Sequence, residues 1–519
     1  MPYRLFLPLL LYIISPFAWS QTLPDVLPLD MGIPSPHYEL RAVWLTTYGG
    51  LDWPRIKATT PQKRAQQQEE LCHMLDQLQR MGINTIVFQT RIRGTVVYPS
   101  SIEPWDECLT GHAGKTPGYD PLAFAIDQCH RRGMEIHAWI VVYPIESVAT
   151  AKKLGARATS RRVAKLCQRC NDRWMMDPGH PETPDYVASI CSEIAHNYDV
   201  DGISLDYVRY PEKEIPFDDR STYRRYANHQ PRAAWRRQNV DRCVKAVHDA
   251  VRSAKPWIKL SCSPVGKYAD LPRFSSSGWN ARDAVAQDAA HWVEKGWMDL
   301  LLPMMYFTGN HFFPFAADWQ NRSANKIVAP GLAAYMLSPT ERNWSLDVIT
   351  RELNYLRSLK CGGQTYFRAR FLTDNVKGIG HYLQNIFYRE RAAVPPMTWI
   401  DSIPPAKPLV KAKLKGINLH IDWTPADEVH HLNLYLCTDS AFNLHKTTLL
   451  QQRITETSFD VVVLPSPKNS KTIGIVAVDR FGNESEPTLI RIEPTRQPRS
   501  LPLFPDHRVG VSALPIRRA

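Results

Sequence analysis

Short apolar runs alternate with longer helical patterns along most of this chain, from Tyr38 to about Arg391. Alternation of this kind predicts repeated βα units. The candidate strands are Leu40–Thr46, Asn84–Gln89, Glu135–Val141, Gly202–Leu205, Ile258–Cys262, Asp299–Met304, Lys326–Gly331 and Gly363–Phe367. Eight parallel strands are the number that closes a (β/α)8 barrel. We therefore predict an α/β fold, a (β/α)8 TIM barrel, over residues 38–391.

The segments between these runs carry helix signals. Leu71, Met74, Leu75 and Leu78 recur at helical spacing, and Asp120-Pro121 reads as an N-cap followed by a first-turn proline. An open doubly wound sheet is the alternative fold. It requires a glycine-rich turn after the first strand, and residues 46–50 lack the needed glycine spacing.

The pattern changes after the predicted barrel. Residues 392–411 are rich in proline and read as a linker. Over residues 412–494 the apolar period drops to two, which predicts a small C-terminal β-sandwich of the fibronectin type III kind. Residues 495–519 show little periodicity and are expected to form a flexible tail.

The first twenty residues have the composition of a secretory signal peptide. One arginine precedes an apolar run from Leu5 to Ile14, and small residues flank Trp19 before Gln21. The run is shorter than the ~20 residues of a membrane span, so we expect no stable membrane anchor. The sequence thus predicts an exported protein, periplasmic or extracellular.

Charge and cysteine content narrow the chemistry. The chain has a formal net charge of +12, which in an exported protein favours contact with anionic polymers. It lacks a recognisable nucleic-acid-binding module, so we expect no nucleic acid partner. Cys167 and Cys170 have no second ligand pair nearby, which favours a disulfide or free thiols over zinc. No metal or cofactor is implied, and the oligomeric state stays open.

Residues 201–211, Asp-Gly-Ile-Ser-Leu-Asp-Tyr-Val-Arg-Tyr-Pro, contain the strongest chemical signal. A buried strand ends there in Asp206, with Arg209 and two tyrosines directly after it. Polar groups at the carboxyl end of a barrel strand are where catalytic residues sit. A carboxylate among aromatic rings suits sugar chemistry, in which it attacks or stabilises an oxocarbenium-like centre. A structural Asp–Arg pair or a helix cap is the alternative.

Other predicted strand ends add aromatic and polar side chains. Several tryptophans at such positions together suggest a surface on which sugar rings stack. The predicted substrate-binding residues are Arg41, Trp44, Gln89, Arg91, Trp105, His137, Trp139, Arg209 and Tyr306. Two of these have structural alternatives: His137 as a core histidine, and Arg91 as an ion-pair partner of Asp206 or Glu103.

These motifs together resemble the glycosyl-hydrolase-like family ten, a bacterial group of exported (β/α)8 proteins that often carry a C-terminal fibronectin-like domain. The segments that carry the resemblance are 40–44, 89–91, 103–105, 109–111, 132–139, 176–179, 201–211 and 303–306. The resemblance implies glycoside hydrolysis, with bacterial cell-wall glycan as a substrate class. Two positions depart from it: Thr95 stands where relatives commonly have Asp, and Met304 where they commonly have Gln.

Glycosidases usually need two carboxyl groups, one that protonates the leaving oxygen and one that attacks or activates water. Asp206 is the predicted nucleophile or electrostatic stabiliser. Asp288 and Glu103 compete for the second place, and Asp288 also reads as the N-cap of a helix. The alternative function is a barrel that binds glycan without cleaving it. Metal-dependent deacetylation ranks lower, since His137 alone among histidines lies near the strand ends.

Overall fold

The computed structural model describes residues 32–437, 442–464 and 470–493. The predicted signal peptide and the predicted tail lie outside the described residues. Among the helices in the described ranges, none combines the length and apolar character that a membrane span requires.

One large parallel sheet organises residues 40–367. The strands of this region are β1 Leu40–Leu45, β2 Thr85–Arg91, β3 Glu135–Val141, β4 Pro144–Ser147, β5 Cys167–Cys170, β6 Arg173–Met176, β7 Gly202–Asp206, β8 Lys259–Cys262, β9 Leu300–Leu301, β10 Ile327–Val328, β11 Gly331–Leu332 and β12 Gly363–Phe367. Within the part of the chain that is described, nine of them join in the order β10-β9-β8-β7-β3-β2-β1-β12-β11, all parallel. The other three, β4, β5 and β6, form a small antiparallel sheet.

The two ends of the parallel sheet meet. β10 and β11 are parts of one extended segment, interrupted only by Ala329-Pro330. On one side of this segment Ala329 donates its N–H to Leu301, and on the other Thr365 donates its N–H to Pro330. The predicted strands are thus present as a curled parallel sheet whose pairing is consistent with a (β/α)8 barrel.

Helices cover the outside of this sheet. They are α1 Pro61–Arg80, α2 Pro121–His130, α3 Val148–Leu154, α4 Thr159–Arg162, α5 Thr183–Asn197, α6 Arg220–Tyr226, α7 Arg232–Ala254, α8 Ala281–Ala284, α9 Ala289–Glu294, α10 Phe313–Asn321, α11 Leu346–Ser358, α12 Ala369–Thr373 and α13 Ile379–Tyr382. The predicted start of α2 is confirmed: Asp120 accepts from the N–H groups of Leu122 and Ala123, and Pro121 occupies the first turn.

Strand alternation divides the buried side chains into two cores. On β7, Ile203 and Leu205 join the apolar layer that packs under the helices. The opposite faces of the barrel strands form a separate inner cluster that includes Leu40, Trp44 and Trp139. Successive residues of a strand point to opposite faces, so every second residue of β7 faces the barrel interior.

The C-terminal region contains two antiparallel sheets. Its strands are β13 Leu409–Lys415, β14 Asn418–Thr424, β15 His431–Cys437, β16 Thr448–Ile454, β17 Ser458–Val462, β18 Lys471–Val478 and β19 Thr488–Ile492. They pair as β13-β14-β17 and β16-β15-β18-β19 and enclose a core of their own. β13 begins inside the segment predicted as linker. The predicted sheets are present, and their fibronectin type III identity stays a prediction.

The C-terminal sheets dock on the barrel at the amino-terminal ends of its strands. Asp201, just before β7, accepts from Arg453 at 2.8 Å, and Arg480 lies 2.8 Å from Asp199. Trp399 of the connecting segment donates to Asp299, just before β9, at 2.9 Å. The carboxyl ends of the strands, where barrel enzymes place their sites, lie on the opposite side.

Arg453→Ala tests this docking. The Arg453 and Asp201 side chains are only 7% and 11% exposed, so the substitution leaves a nearly buried carboxylate without its arginine and with His130 as its remaining side-chain partner among the described residues. We expect a loss of about 3 kcal/mol in the free energy of unfolding, measured by denaturant titration. Arg491→Ala is the matched control, because its pair with Glu493 is 69% and 70% exposed, and it should cost well under 1 kcal/mol. Equal effects of both variants would contradict the docking.

Candidate active site at the carboxyl end of β7

Asp206 is the last residue of β7 and faces the barrel interior. Its neighbour Leu205 packs outward under the helices, so alternation turns the carboxyl inward at the carboxyl end of the sheet. Trp139 of β3 donates its Nε1–H to Asp206 Oδ2 at 3.1 Å, and the Tyr207 N–H donates to Oδ1 at 2.8 Å. The residue is 6% exposed.

Burial sets the protonation of this carboxyl. Removal from water raises the pKa of Asp206 to about 6, against the opposing effects of Arg209, the two hydrogen bonds and Arg93. The ionised form is favoured by two donors and two nearby cations, and these together do not offset desolvation. Asp206 is therefore suited to hold a proton up to about pH 6 and to release it, which is the property of a general acid.

The chain turns sharply directly after Asp206. Tyr207 has a φ of +51°, in the left-handed region that a non-glycine residue seldom occupies. This conformation brings the ring of Tyr207 beneath the guanidinium of Arg209, whose Cζ lies 4.7 Å from the ring centroid. Arg209 also lies 5.6 Å from the ring of Trp279 and forms an ion pair with Glu212 at 2.7 Å. Backbone strain of this kind is typical of functional sites.

Aromatic side chains form a wall on the same face of the barrel. Tyr306 lies 5.6 Å from Phe367 and 5.7 Å from Tyr335, and Trp44 lies 6.1 Å from Phe367, between ring centroids. Asp206 also acts electrostatically on Tyr306. Burial raises the pKa of the Tyr306 phenol, and the nearby Asp206 carboxylate raises it further. The structure thus brings Asp206, Trp139 and Tyr306 together, and Trp44 joins them through Phe367.

A cavity of about 660 Å³ lies beside Arg209. It is lined in part by Glu212, Lys213, Phe217, Arg236 and Trp279. Two of these, Glu212 and Trp279, are contacts of Arg209, which connects the lining of the cavity to the residues that follow Asp206. The volume falls within the range of small-molecule sites.

Glu103 does not lie in the site as a free carboxyl. It forms a bidentate pair with Arg91 at 2.7 and 2.8 Å and accepts from Tyr186 at 3.0 Å, with its side chain fully buried. Arg91 also donates to the carbonyls of Val141 and Val142. The pair joins the end of β2 to the end of β3, so we replace the predicted catalytic role of Glu103, and the binding role of Arg91, with a structural one.

Asp288 pairs with residues other than those of the Asp206 site. It accepts from the Tyr268 hydroxyl at 2.6 Å and lies 3.7 Å from Arg282, and neither residue contacts Asp206. Asp288 does precede α9, as the capping interpretation expects, but its side chain accepts no capping hydrogen bond. We therefore assign it no part in the site.

Three predicted binding residues serve the framework. Arg41 points outward from β1 and is fully buried against Glu39, with Tyr388 beneath its guanidinium, because residue 41 lies on the helix-facing side of the strand. Gln89 accepts from the N–H groups of residues 47 and 48 and thus positions the loop after β1. Trp105 packs half-buried against the helix-facing core. For Arg41, a structural role replaces the predicted substrate-binding role, because strand alternation turns residue 41 toward the helices.

His137 occupies the barrel interior, two residues before Trp139 on β3. It is fully buried, and its Nε2 lies 3.2 Å from Glu135 Oε2. The position is below the Asp206 layer, so a substrate at the mouth does not contact it.

Several residues of the site were missed from the sequence. They are Trp279, Tyr335 and Phe367. Phe367 had a usable signal: on β12 the inward residues are every second one, which places Phe367 inside and turns Tyr366 outward to Tyr388. Trp279 lies in a loop and Tyr335 in a single 3₁₀ turn, Ala334–Leu337, and neither is long enough for periodicity to indicate which way a side chain points.

The described residues contain no group of three or more His, Cys, Asp or Glu side chains that could hold a metal ion.

A family model described as "Glycosyl hydrolase-like 10" matches residues 39–335. The chain is 31% identical over 472 residues to "Glycosyl hydrolase YngK" of Bacillus subtilis, covering 86% of this chain and 92% of that protein.

Two further similarities extend these findings. "Glycosyl hydrolase DigH" of Escherichia coli K12 is 35% identical over 288 residues, which cover 52% of this chain and 65% of that protein. Among solved structures, α-L-fucosidase isoenzyme 2 of Paenibacillus thiaminolyticus aligns with a TM-score of 0.46 at 14% identity, covering 71% of this chain and 52% of that one.

The elevated pKa of Asp206 predicts a pH-dependent stability. The folded state holds the proton more tightly than the unfolded chain, so this carboxyl contributes stability below about pH 4 that is lost as pH rises through about 6. The asparagine of Asp206→Asn does not titrate, so this variant does not lose that stability as the pH rises. Relative to wild type, the variant should therefore gain up to roughly 3 kcal/mol between pH 4 and pH 7, measured by denaturant titration. Asp427→Asn, at an exposed position, is the control. If the free energies of unfolding of Asp206→Asn and wild type differed by the same amount across this pH range, the raised pKa of Asp206 would be refuted.

Proposed function

Since the chain belongs to the glycosyl hydrolase-like 10 family, we propose that it cleaves glycosidic bonds with Asp206 as the acid that protonates the leaving oxygen. The single observation that carries the assignment is a buried carboxyl without a salt-bridge partner among the described residues, held at the end of β7 by Trp139. The sequence predicted a nucleophile or electrostatic stabiliser, and the pKa of about 6 supports the role of acid instead, because a proton is then present on this carboxyl at pH values where an ordinary aspartate has lost it.

Each contact of Asp206 has a part in this reaction. The Tyr207 N–H and the Trp139 indole orient the carboxyl, so that its proton is presented to the glycosidic oxygen. As the C1–O bond breaks, the leaving oxygen takes this proton and C1 gains positive charge, which a water molecule then neutralises by bonding to C1 and releasing a proton to solvent. The carboxylate that remains is stabilised by the two donors and by Arg209 and Arg93. Desolvation keeps the proton available before the step, and the donors stabilise the product of the step.

The aromatic wall supports a carbohydrate substrate. Tyr306, Tyr335 and Phe367 are partly exposed rings near the carboxyl, and such rings bind the apolar faces of sugars. The cavity lined by Glu212 and Trp279, the two partners of Arg209, offers further binding space near the end of β7, which supports a substrate of several sugars. We propose a bacterial cell-wall glycan strand, or a related polysaccharide, as the substrate.

The basic charge of the chain and its N-terminal pattern support action outside the cytoplasm. A net charge of +12 favours association with an anionic envelope polymer. We propose that residues 1–20 direct export and that the C-terminal sheets form a fibronectin type III-like domain. The division of seven strands into sheets of three and four supports this domain assignment.

Asp206→Asn should abolish turnover and leave glycan binding nearly intact, because the amide is isosteric and carries no transferable proton. Loss of a general acid lowers kcat by about 10²–10⁴-fold. The measurement is the release of new reducing ends from purified cell-wall glycan strands and from other polysaccharides, with thermal melts alongside. Asp288→Asn is the control and should retain activity, since its carboxyl is held by Tyr268. Unchanged activity in Asp206→Asn would reject the role.

The pH profile separates an acid from a nucleophile. If Asp206 acts protonated, kcat/KM of the wild type falls as pH rises above about 6, because that parameter reports the free enzyme. An ionised nucleophile predicts a rise over the same range. Tight binding without turnover on every glycan would favour a glycan-binding protein instead.

A further inference from the structure

The interior of the barrel beneath Asp206 is polar on three adjacent strands. The strand register places inward residues in rows: His137, Gly202 and Lys259 in the lowest, and Trp139, Ser204 and Ser261 in the middle. Asp206 stands in the row above, and Ser263 continues the inward face of β8 beyond Ser261. Barrel interiors are more commonly filled by bulky branched side chains.

The lowest row contains a charged cluster. Lys259 donates to Glu135 at 2.7 Å, and the other oxygen of Glu135 lies 3.2 Å from His137 Nε2. Burial acts to raise the pKa of Glu135, and Lys259 together with His137 brings it below the usual range. Charges are therefore held at the base of the barrel, opposite the cleft.

Between this cluster and Asp206 lie buried polar atoms without a protein partner. Within the described residues, His137 Nδ1 and the hydroxyl oxygens of Ser204, Ser261 and Ser263 make no hydrogen bond. An unpaired buried polar atom costs about 1–3 kcal/mol. These four atoms lie on the inward faces of three neighbouring strands, from the row of His137 up to the level of Asp206, and we refer to them as the polar path.

Between the lowest row and Asp206, the inward side chains of β7 and β8 are small hydroxyls. At Gly202 the His137 ring fills the space that a side chain would take, because a Cβ there would lie 2.6 Å from the ring. From residue 202 to residue 206 the strand rises about 13 Å, which is too far for direct hydrogen bonding and about the length of a few water molecules in file. Buried polar groups that lack a protein partner are the groups that ordered internal water satisfies.

We infer that a file of internal water molecules links the Asp206 carboxyl to the His137–Glu135–Lys259 cluster through Ser204 and Ser261. These residues are then positioning residues: they hold water against the inner side of the carboxyl while substrate occupies the outer side. The inference rests on the proposed role of Asp206 as the acid. It also gives His137 a role that neither substrate contact nor simple core packing provides.

The water file acts on Asp206 together with the charged groups around it. Those facing the carboxyl are Arg209, Arg93, Tyr207 and Tyr306, and those facing His137 are Glu135 and Lys259. Water that donates to the carboxylate stabilises the ionised form after proton transfer. Removal of that water should therefore make Asp206 a weaker acid.

Filling the path with methyl groups tests the inference. Ser204→Val and Ser261→Val replace hydroxyls with apolar volume, and Ser204→Ala removes the hydroxyl but leaves space for water. Carbon-13 NMR titration of Asp206 should show its pKa rising by about one unit in the valine variants and less in the alanine variant. The kcat on cell-wall glycan strands should fall about tenfold in the valine variants, with KM nearly unchanged.

Ile203→Val is the matched control, because it removes one methylene from the outward face of the same strand and costs about 1 kcal/mol without touching the interior. Its Asp206 titration and its kcat should stay at the wild-type values. A crystal structure of the wild-type protein at about 1.5 Å is the independent measurement, and ordered waters between Ser204 and His137 are expected.

Three results would overturn the inference: a dry interior, a valine variant that titrates as wild type, or a control that shifts as much as the valine variants. Failure of the proposed function is a separate outcome. It would appear as a wild-type protein inactive on every glycan, while the NMR titration and the crystal structure still report on the water file.

Discussion

The withdrawal of one carboxyl from water is the constraint on which the rest of this site depends. Asp206 is nearly buried, and neither Arg209 nor the two hydrogen-bond donors offset the loss of hydration. A carboxyl in that state holds its proton at pH values where an exposed aspartate has released it. The surrounding features, from the Trp139 indole to the aromatic wall, are arranged around a group whose charge is costly in the free protein.

This arrangement requires a rigid base. The C-terminal sheets and Trp399 cover the amino-terminal ends of the strands, where buried ion pairs such as Arg453–Asp201 connect them to the barrel. The cluster of Glu135, Lys259 and His137 thereby lies between the covered base and the layer that contains Asp206. The C-terminal region is thus part of the structural support of the barrel, and it lies on the side away from the cleft.

Charged residues at the strand ends either stabilise the fold or face the candidate site, and their burial and their partners decide which. Glu103 and Arg91 saturate each other at the ends of β2 and β3, which fixes those strand ends and leaves neither group for a substrate. Arg209 differs, because its guanidinium lies between two rings and keeps an unpartnered Nε among the described residues. The same residue types at strand ends therefore serve two purposes, and composition does not distinguish them.

The sequence by itself determined the alternating βα order, the strands to within a few residues, the C-terminal sheets and the position of Asp206 at a strand end. These features depend on local periodicity and on chain order, which a single sequence records. Only the tertiary structure decided that Asp288 has partners outside the site, that Arg41 faces the helices, and that loop residues such as Trp279 reach the site. The reason is physical: pairing partners, desolvation and loop direction arise from contacts between residues far apart in sequence, and no local pattern encodes them.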